Sequence, residues 1–155
     1  MSSEKAKQHL EKFGFGDKIQ FFDQSSATVE LAALALGCEP ARIAKSLTFT
    51  ANDKPVMILA AGDVKIDNAK YKAFFGTKAK MLTAEQVSEL IGHEVGGVCP
   101  FGINDGVEVY LDESLKRFDH VYPACGSGNS AVKLTIGELE SCSGYKSWID
   151  VTKSV

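Results

Sequence analysis

Hydrophobic and polar residues alternate along the chain in patterns that predict short helices and short strands. Apolar side chains recur at helical spacing in five segments, 3–13, 29–36, 68–75, 84–91 and 136–141. Shorter runs rich in β-branched and aromatic residues predict seven strand segments, 18–22, 47–50, 55–61, 80–82, 107–111, 120–124 and 131–135. This order of segments predicts helices packed on a sheet.

Capping residues define several of the predicted helix ends. Thr28 precedes an apolar helical stripe and Gly37 follows it, as expected for an N-cap and a C-terminal stop. Thr83 and Gln86 have the spacing of a capping box. Pro40 is placed to open a further helical turn over 41–43, which then leads into a strand.

Two of the predicted strands are expected to form a hairpin. Residues 51–54 form a turn between strands 47–50 and 55–61, and so short a connection favours antiparallel pairing. The second of these strands is almost continuously apolar, which predicts that it is buried on both faces of the sheet.

The segments together predict an α/β (α+β) fold in one domain spanning residues 1–155. Six or seven strands and four or five helices alternate irregularly. We therefore expect a mixed, mostly antiparallel sheet of six to seven strands with helices packed around it. A chain of 155 residues, 45% of them hydrophobic, can form one compact domain with its own core.

Charge is distributed unevenly along the chain. The formal net charge of −3 gives the protein no global attraction for nucleic acid, so binding to RNA or DNA would need a local basic patch. Residues 65–80 hold five lysines and one aspartate, a local charge of +4. Such a segment could hold phosphates, or it could be the solvated face of a helix.

Targeting and metal-binding signals are absent from the sequence. It has no secretory signal and no apolar run of membrane-spanning length, so we expect a cytoplasmic protein that does not associate with membranes. The four cysteines (Cys38, Cys99, Cys125 and Cys142) form no CxxC pair, and the three histidines are scattered. The pattern does not support a zinc site, and it favours reduced thiols over disulfides.

Lys45 interrupts an apolar pattern. If the strand includes residue 43, then Ile43, Lys45 and Leu47 share one face of it. A lysine there must extend to solvent or meet an anionic group, because burying an unpaired ammonium is very costly. The alternative is a strand that begins at Ser46 and leaves Lys45 exposed at its start.

Two glycine-rich loops could complete a site around Lys45. The first, Gly96-Gly97-Val98-Cys99-Pro100-Phe101-Gly102, lets a ligand approach the backbone, and its free N–H groups could polarise a carbonyl. The alternative is an ordinary connecting turn. The second loop, 126–130, resembles an anion-binding turn, but a strand and not a helix follows it, which argues against a P-loop or dinucleotide fold.

Cys99 within the first loop is a candidate nucleophile. No motif places His93 or His120 beside it, and a glycine loop does not by itself activate a thiol. We therefore assign Cys99 to the wall of a pocket and keep a cysteine-dependent acyl hydrolase as the last-ranked alternative.

Three features in this order resemble the YbaK/EbsC family of aminoacyl-tRNA deacylases, which is related to the editing domain inserted in bacterial prolyl-tRNA synthetases. The first is a helix opened by Thr28 and followed by Ile43-Ala44-Lys45-Ser46-Leu47, which resembles the lysine strand of the family. The second is the GxxxP loop from Gly96 to Pro100, and the third is the turn Gly126-Ser127-Gly128 before a strand. Ser46 is more similar to the Lys-Thr pair of YbaK-type members than to the Lys-Asn pair of alanine-specific ones.

The resemblance implies hydrolysis of the ester that joins a wrong, small amino acid to the 3′ end of a tRNA, with tRNA(Pro)-type substrates expected. It implies that Lys45 holds the terminal nucleotide and that the loop backbone polarises the ester carbonyl, without a metal or cofactor. The implied catalytic residues are Lys45, Gly96, Gly97 and Pro100. The implied substrate-binding residues are Ser46, Val98, Cys99, Phe101, Gly102, Gly126, Ser127 and Gly128.

The partners implied are the aminoacylated 3′ end of tRNA and a synthetase such as prolyl-tRNA synthetase. A second hypothesis is a non-catalytic tRNA-binding or synthetase-associated module. Such a module would bind tRNA ends without turnover, so activity on mischarged tRNA separates the two.

Overall fold

The helices begin and end where the capping residues predict. The computed structural model describes residues 2–155, and within them the helices are α1 (Ser2–Glu11), α2 (Val29–Leu36), α3 (Asn68–Phe75), α4 (Ala84–Gln86) and α5 (Ile136–Cys142). Short 3₁₀ turns occupy Gly16–Lys18, Pro40–Arg42 and Glu113–Arg117, and α4 continues as a π-helical turn over Val87–Ile91. None of the helices in this part of the chain is long and apolar enough to cross a membrane.

The predicted caps of α2 and α4 are formed, and α5 has a further one. The Thr28 side chain accepts a hydrogen bond from the Leu31 N–H, and Gly37 ends α2 in the left-handed region at φ 68°. Thr83 with Gln86, and Thr135 with Glu138, each form a complete capping box.

Ten strands lie within residues 2–155: β1 (Ile19–Phe21), β2 (Ile43–Ala51), β3 (Lys54–Ala61), β4 (Val64–Ile66), β5 (Glu108–Asp112), β6 (His120–Pro123), β7 (Ser130–Val132), β8 (Leu134–Thr135), β9 (Tyr145–Ile149) and β10 (Thr152–Ser154). Six of them form one sheet in the order β8-β6-β2-β3-β5-β9, while β1 with β7 and β4 with β10 form two-stranded ribbons.

The sheet is mixed, which confirms the predicted α/β architecture. The β2–β3 pair at its centre is antiparallel, as are β6–β8 and the two ribbons. The β2–β6, β3–β5 and β5–β9 pairs are parallel. Antiparallel pairs therefore hold a narrow majority in the part of the chain described, although parallel pairs dominate within the six-stranded sheet.

A two-residue turn joins the two strands of the central hairpin. Asn52 and Asp53 have φ values of 52° and 64°, the left-handed conformation that a two-residue hairpin turn requires and that these two residue types tolerate. Met57 to Ala61 of β3 are all buried. The strand is therefore buried on both faces of the sheet, as its apolar sequence predicted.

Four strand predictions need correction. The predicted strand 80–82 forms only an isolated bridge between Met81 and Phe49. Strand β2 begins at Ile43 and not at residue 46 or 47, because the Pro40–Arg42 turn leads straight into it. Residues 131–135 form two strands and not one, since β7 pairs with β1 while β8 pairs with β6. The short strands β4, β9 and β10 were not predicted, because each depends on a partner distant in sequence.

Helix α2 packs on the start of β2. Ala32 and Ala33 of the helix and Ile43 of the strand form a small apolar cluster separate from the two main clusters of the core. This packing brings the first turn of α2 to the strand that carries Lys45.

Candidate active site

A cavity of about 290 Å³ lies between α2 and β2 and is lined mainly by apolar groups. Its walls come from five parts of the chain: the 26–29 segment and Ala32 of α2, residues 43–48 of β2, the segment from Met81 to Val87, the first glycine loop, and the strands on either side of the second glycine loop. Concave, mainly apolar sites with a few polar groups are typical of small-ligand binding.

Lys45 lies inside β2 on the wall of this cavity, so the alternative that placed it exposed before the strand is wrong. Its Nζ donates a hydrogen bond to the carbonyl oxygen of Val64 in β4. Partial burial lowers the pKa of the Lys45 ammonium, while the carboxylates of Asp63 and Glu30 oppose that shift. The ammonium is therefore anchored by a neutral carbonyl and keeps a positive charge free for an anionic ligand.

A second hollow of about 250 Å³ adjoins the cavity at Lys45. Lys45, Leu47 and Met81 line both spaces. Besides Lys45, the polar residues that line the hollow are Lys65 and Asn68. Lys45 thus lies at the junction between an apolar pocket and a more basic one.

The first glycine loop contributes Gly96 and Val98 to the cavity. No hydrogen-bond acceptor for the N–H of either residue exists among residues 2–155, so both donors are available to a ligand. Gly96 has φ 98°, which favours glycine. Unpaired N–H groups can polarise a carbonyl and stabilise an oxyanion, and Lys45 lines the same cavity.

Gly97 and Pro100, which the family resemblance assigns to catalysis, do not line the cavity. The Gly97 N–H already donates to the carbonyl of Glu94 at 3.0 Å, and its carbonyl accepts from the Gly126 N–H at 2.9 Å. Pro100 is buried and has no N–H to donate. Both residues shape the loop around Gly96 and Val98.

Cys99, Phe101 and Gly102 belong to the part of the first glycine loop that does not line the cavity. The side chains of Cys99 and Phe101 are fully buried, and Gly102 packs against the backbone of Lys5 in α1. The sequence predicted that these three residues contact a substrate, whereas in the structure none of them lines the cavity. They anchor the Gly96–Val98 part of the loop to the protein core.

His93 lies beside Cys99, which the sequence did not indicate. The His93 Nε2 is 3.4 Å from the Cys99 Sγ and 2.6 Å from the carbonyl oxygen of Phe101. Because that carbonyl can only accept, Nε2 carries a proton and cannot take one from the thiol. Burial raises the pKa of the Cys99 thiol and lowers the pKa of His93, so this pair is not an activated nucleophile.

The second glycine loop holds the cavity walls together without lining the cavity through Gly126, Ser127 or Gly128. The Gly128 carbonyl accepts from the Ser26 N–H at 2.7 Å. The Ser127 Oγ donates to the Asn129 Oδ1 at 2.8 Å and lies 2.6 Å from the Ser130 Oγ. Ser130, which follows the loop, does line the cavity.

Ser26 and Ser46 line the cavity with buried hydroxyl groups that have no hydrogen-bond partner among the described residues. A buried unpaired hydroxyl is costly, so these two groups are exceptions among the buried polar groups of the protein. Ser46 was expected in the site from the sequence. Ser26, Val29 and the N-terminal turn of α2 were missed, although the Thr28 cap marked where that helix begins.

Two groups on the wall of the cavity favour negative charge, the N-terminus of α2 and the Lys45 ammonium. Among residues 2–155 no group of three or more histidine, cysteine or acidic side chains could hold a metal ion. Such a site can position an acyl group and stabilise an oxyanion by N–H groups and an ammonium.

Residues 23–142 match the model of a family described as the aminoacyl-tRNA editing domain. The uncharacterized protein YwhH of Bacillus subtilis (strain 168) is 51% identical over 154 residues, which cover 99% of this chain and 98% of that protein.

Two further similarities point to prolyl-tRNA synthetase. A proline–tRNA ligase of Bacillus cereus (strain AH820) is 29% identical over 114 residues, which are 73% of this chain but 19% of the ligase. A solved structure described as a candidate trans-editing enzyme for prolyl tRNA synthetase is 32% identical, with a TM-score of 0.88 over 99% of this chain and 98% of that one.

Proposed function

The chain belongs to the aminoacyl-tRNA editing domain family, and from that premise we propose that it is a trans-editing aminoacyl-tRNA deacylase. In this proposal it hydrolyses the ester between a small wrong amino acid and the 3′-terminal ribose of a tRNA, with tRNA(Pro) as the expected type of substrate. The whole segment 1–155 then acts as one editing domain in the cytoplasm, alone or beside a synthetase.

The observation that carries the proposal is the position of Lys45 between the apolar cavity and the second hollow. The side chain of the amino acid occupies the cavity, and the terminal nucleotide lies across Lys45 towards the hollow. The ester bond that joins them then falls beside Gly96 and Val98. This arrangement fixes the acyl and nucleotide parts of one substrate on the two sides of one ammonium.

In the proposed reaction, the N–H groups of Gly96 and Val98 bind the ester carbonyl oxygen. Water attacks the carbonyl carbon, and the π electrons of the C=O bond move onto the carbonyl oxygen. The two N–H groups stabilise the negative charge that forms there. The intermediate collapses, the bond to the ribose oxygen breaks, and that oxygen takes up the proton lost by the water. The neighbouring ribose hydroxyl assists the attack by positioning the water, so no protein nucleophile is needed.

A deacylation panel tests the proposal. The purified protein is incubated with tRNAs charged with Ala, Cys, Ser, Thr or Pro, and release of amino acid is compared with release in its absence. Turnover of at least one mischarged tRNA, and not of correctly charged Pro-tRNA(Pro), is the expected result. No release from any member, combined with measurable tRNA binding, would instead support a non-catalytic tRNA-binding module.

A further inference from the structure

Lys65 and Lys153 lie directly opposite each other on the ribbon formed by β4 and β10. Residues paired in this way project from the same face of an antiparallel ribbon, with Cα atoms about 4.5–5.5 Å apart. Both lysines are exposed, and neither ammonium has a carboxylate within 4.0 Å among residues 2–155. Like charges placed directly opposite destabilise a ribbon, so this pair is an unfavourable arrangement unless an anion binds it.

The acidic residues near the ribbon make their short contacts with other groups. Asp63 binds the Arg117 guanidinium through two hydrogen bonds of 2.6 and 3.0 Å. Asp67 interacts with Lys153 over a longer distance, but its Oδ1 accepts two backbone N–H bonds as the cap of α3. Asp150 pairs with Lys70 at 3.0 Å. The local carboxylates therefore leave Lys65 and Lys153 available to a ligand.

The lysine pair continues the path that begins at the cavity. Lys65 lines the second hollow, whose lining contains two lysines and no acidic residue. The residue before it, Val64, supplies the carbonyl that anchors the Lys45 ammonium. A ligand that passes Lys45 into the hollow thus meets Lys65 first and then the paired Lys153.

We infer that Lys65 and Lys153 bind backbone phosphates of the RNA strand that leads to the ester. The inference rests on the proposed function, because that function places a terminal nucleotide at Lys45. Two ammonium groups on one ribbon match successive phosphodiester charges, which lysine contacts without reading base identity. Lys70, although part of the same basic segment, has an acidic partner and does not belong to this surface.

Binding of uncharged tRNA tests the inference without requiring hydrolysis. A 5′-labelled tRNA is titrated with the wild-type protein and with the double variant Lys65→Ala/Lys153→Ala, and Kd is followed by fluorescence anisotropy at rising salt. Each lysine that contacts a single-stranded phosphate contributes about 0.7 to the slope of log Kd against log salt. We therefore expect the wild type to lose about sevenfold more affinity than the variant between roughly 50 and 200 mM salt.

Lys7→Ala/Lys12→Ala is the matched control, since it removes the same charge from exposed positions on and just after α1 that line neither pocket. It should leave both Kd and its salt slope unchanged. On a tRNA without its single-stranded 3′ end, wild type and Lys65→Ala/Lys153→Ala should bind equally. Equal salt slopes for wild type and variant on intact tRNA, or an equal loss in the control, would overturn the inference. Absence of deacylation with this binding pattern intact would count against the proposed function alone.

Discussion

Gly97 and Gly126 join the two glycine loops backbone to backbone. The Gly126 N–H donates to the Gly97 carbonyl at 2.9 Å, and a Cβ on Gly97 would lie 2.4 Å from the Ser127 nitrogen. This contact leaves no room for a side chain. It holds the first loop in the position where Gly96 and Val98 line the cavity.

Gly97→Ala is expected to separate the loops, because the neighbouring backbone cannot move aside as a flexible side chain can. We expect a loss of about 1–3 kcal/mol in the free energy of unfolding, as for other overpacked sites, and a lower rate of deacylation. Urea denaturation and a deacylation assay measure the two effects.

Gly137→Ala is the matched control for Gly97→Ala. Gly137 lies in α5 with nothing within 4 Å of an added Cβ, and its backbone lies outside the left-handed region. Alanine there should stabilise the protein by up to about 1 kcal/mol through its helix propensity. If both alanine variants unfolded at the same urea concentration as the wild type, the close contact between Gly97 and the second loop would not contribute to stability.

Ser26→Ala should separate stability from activity. The Ser26 hydroxyl is buried without a partner, so its removal is expected to leave stability unchanged or raise it by about 1 kcal/mol. Deacylation should fall, because Ser26 is part of the cavity wall and its truncation changes the shape of that wall. Ser114→Ala is the contrasting variant, since the Ser114 Oγ accepts from the Ala61 N–H and its loss should destabilise. A clear loss of stability in Ser26→Ala would show that its hydroxyl has a partner within the protein.

Cys99→Ala should retain deacylation to within about twofold per folded molecule. The thiol is fully buried, its pKa is raised by burial, and the residue does not line the cavity. The truncation is expected to cost about 1–2 kcal/mol of stability as a small cavity. A hundredfold loss of activity in folded Cys99→Ala, or rapid inactivation of the wild type by iodoacetamide, would favour a cysteine nucleophile.

Lys45→Met should alter how stability depends on pH. Burial lowers the pKa of Lys45 in the folded state below 10.5, its ordinary value, so the folded protein binds fewer protons than the unfolded chain between those two values. Burying the Lys45 ammonium destabilises the folded protein. This destabilisation is fully present below the folded pKa and disappears as pH rises towards 10.5. The stability of the variant relative to the wild type should therefore be greatest near neutral pH and decline above it.

The size of this effect is limited because Lys45 is half-buried and solvent screens its charge, so less than about 1 kcal/mol is expected. Unfolding by urea at a series of pH values from 7 to 10.5 measures it. A stability difference that grows with pH would contradict the assigned direction.

Local signals account for what the sequence predicted well. Thr28 and Thr83 cap helices through neighbours three residues away, and the 51–54 turn needs only its own residues. The alternation of side chains along a strand likewise predicted that Lys45 lies on the same face of β2 as Ile43 and Leu47. These features depend on short-range chemistry that a single sequence contains.

The errors came from features that depend on distant partners. Strands β4 and β10 are three residues long and exist because they pair with each other. The first glycine loop was treated as one unit, whereas Gly96 and Val98 line the cavity and Cys99 and Phe101 enter the core. Which side of such a loop faces a ligand depends on packing against α1 and the second loop, which no local pattern encodes.

The most direct test of the central claim is the rate of deacylation by Lys45→Ala, measured on the mischarged tRNA that the wild type hydrolyses fastest. Lys12→Ala serves as the control, and circular dichroism confirms that both variants fold. Because Lys45 positions the ester between the acyl pocket and the nucleotide side, we predict that kcat/KM falls at least about 100-fold in Lys45→Ala and is unchanged in Lys12→Ala. Wild-type turnover by folded Lys45→Ala would contradict the account.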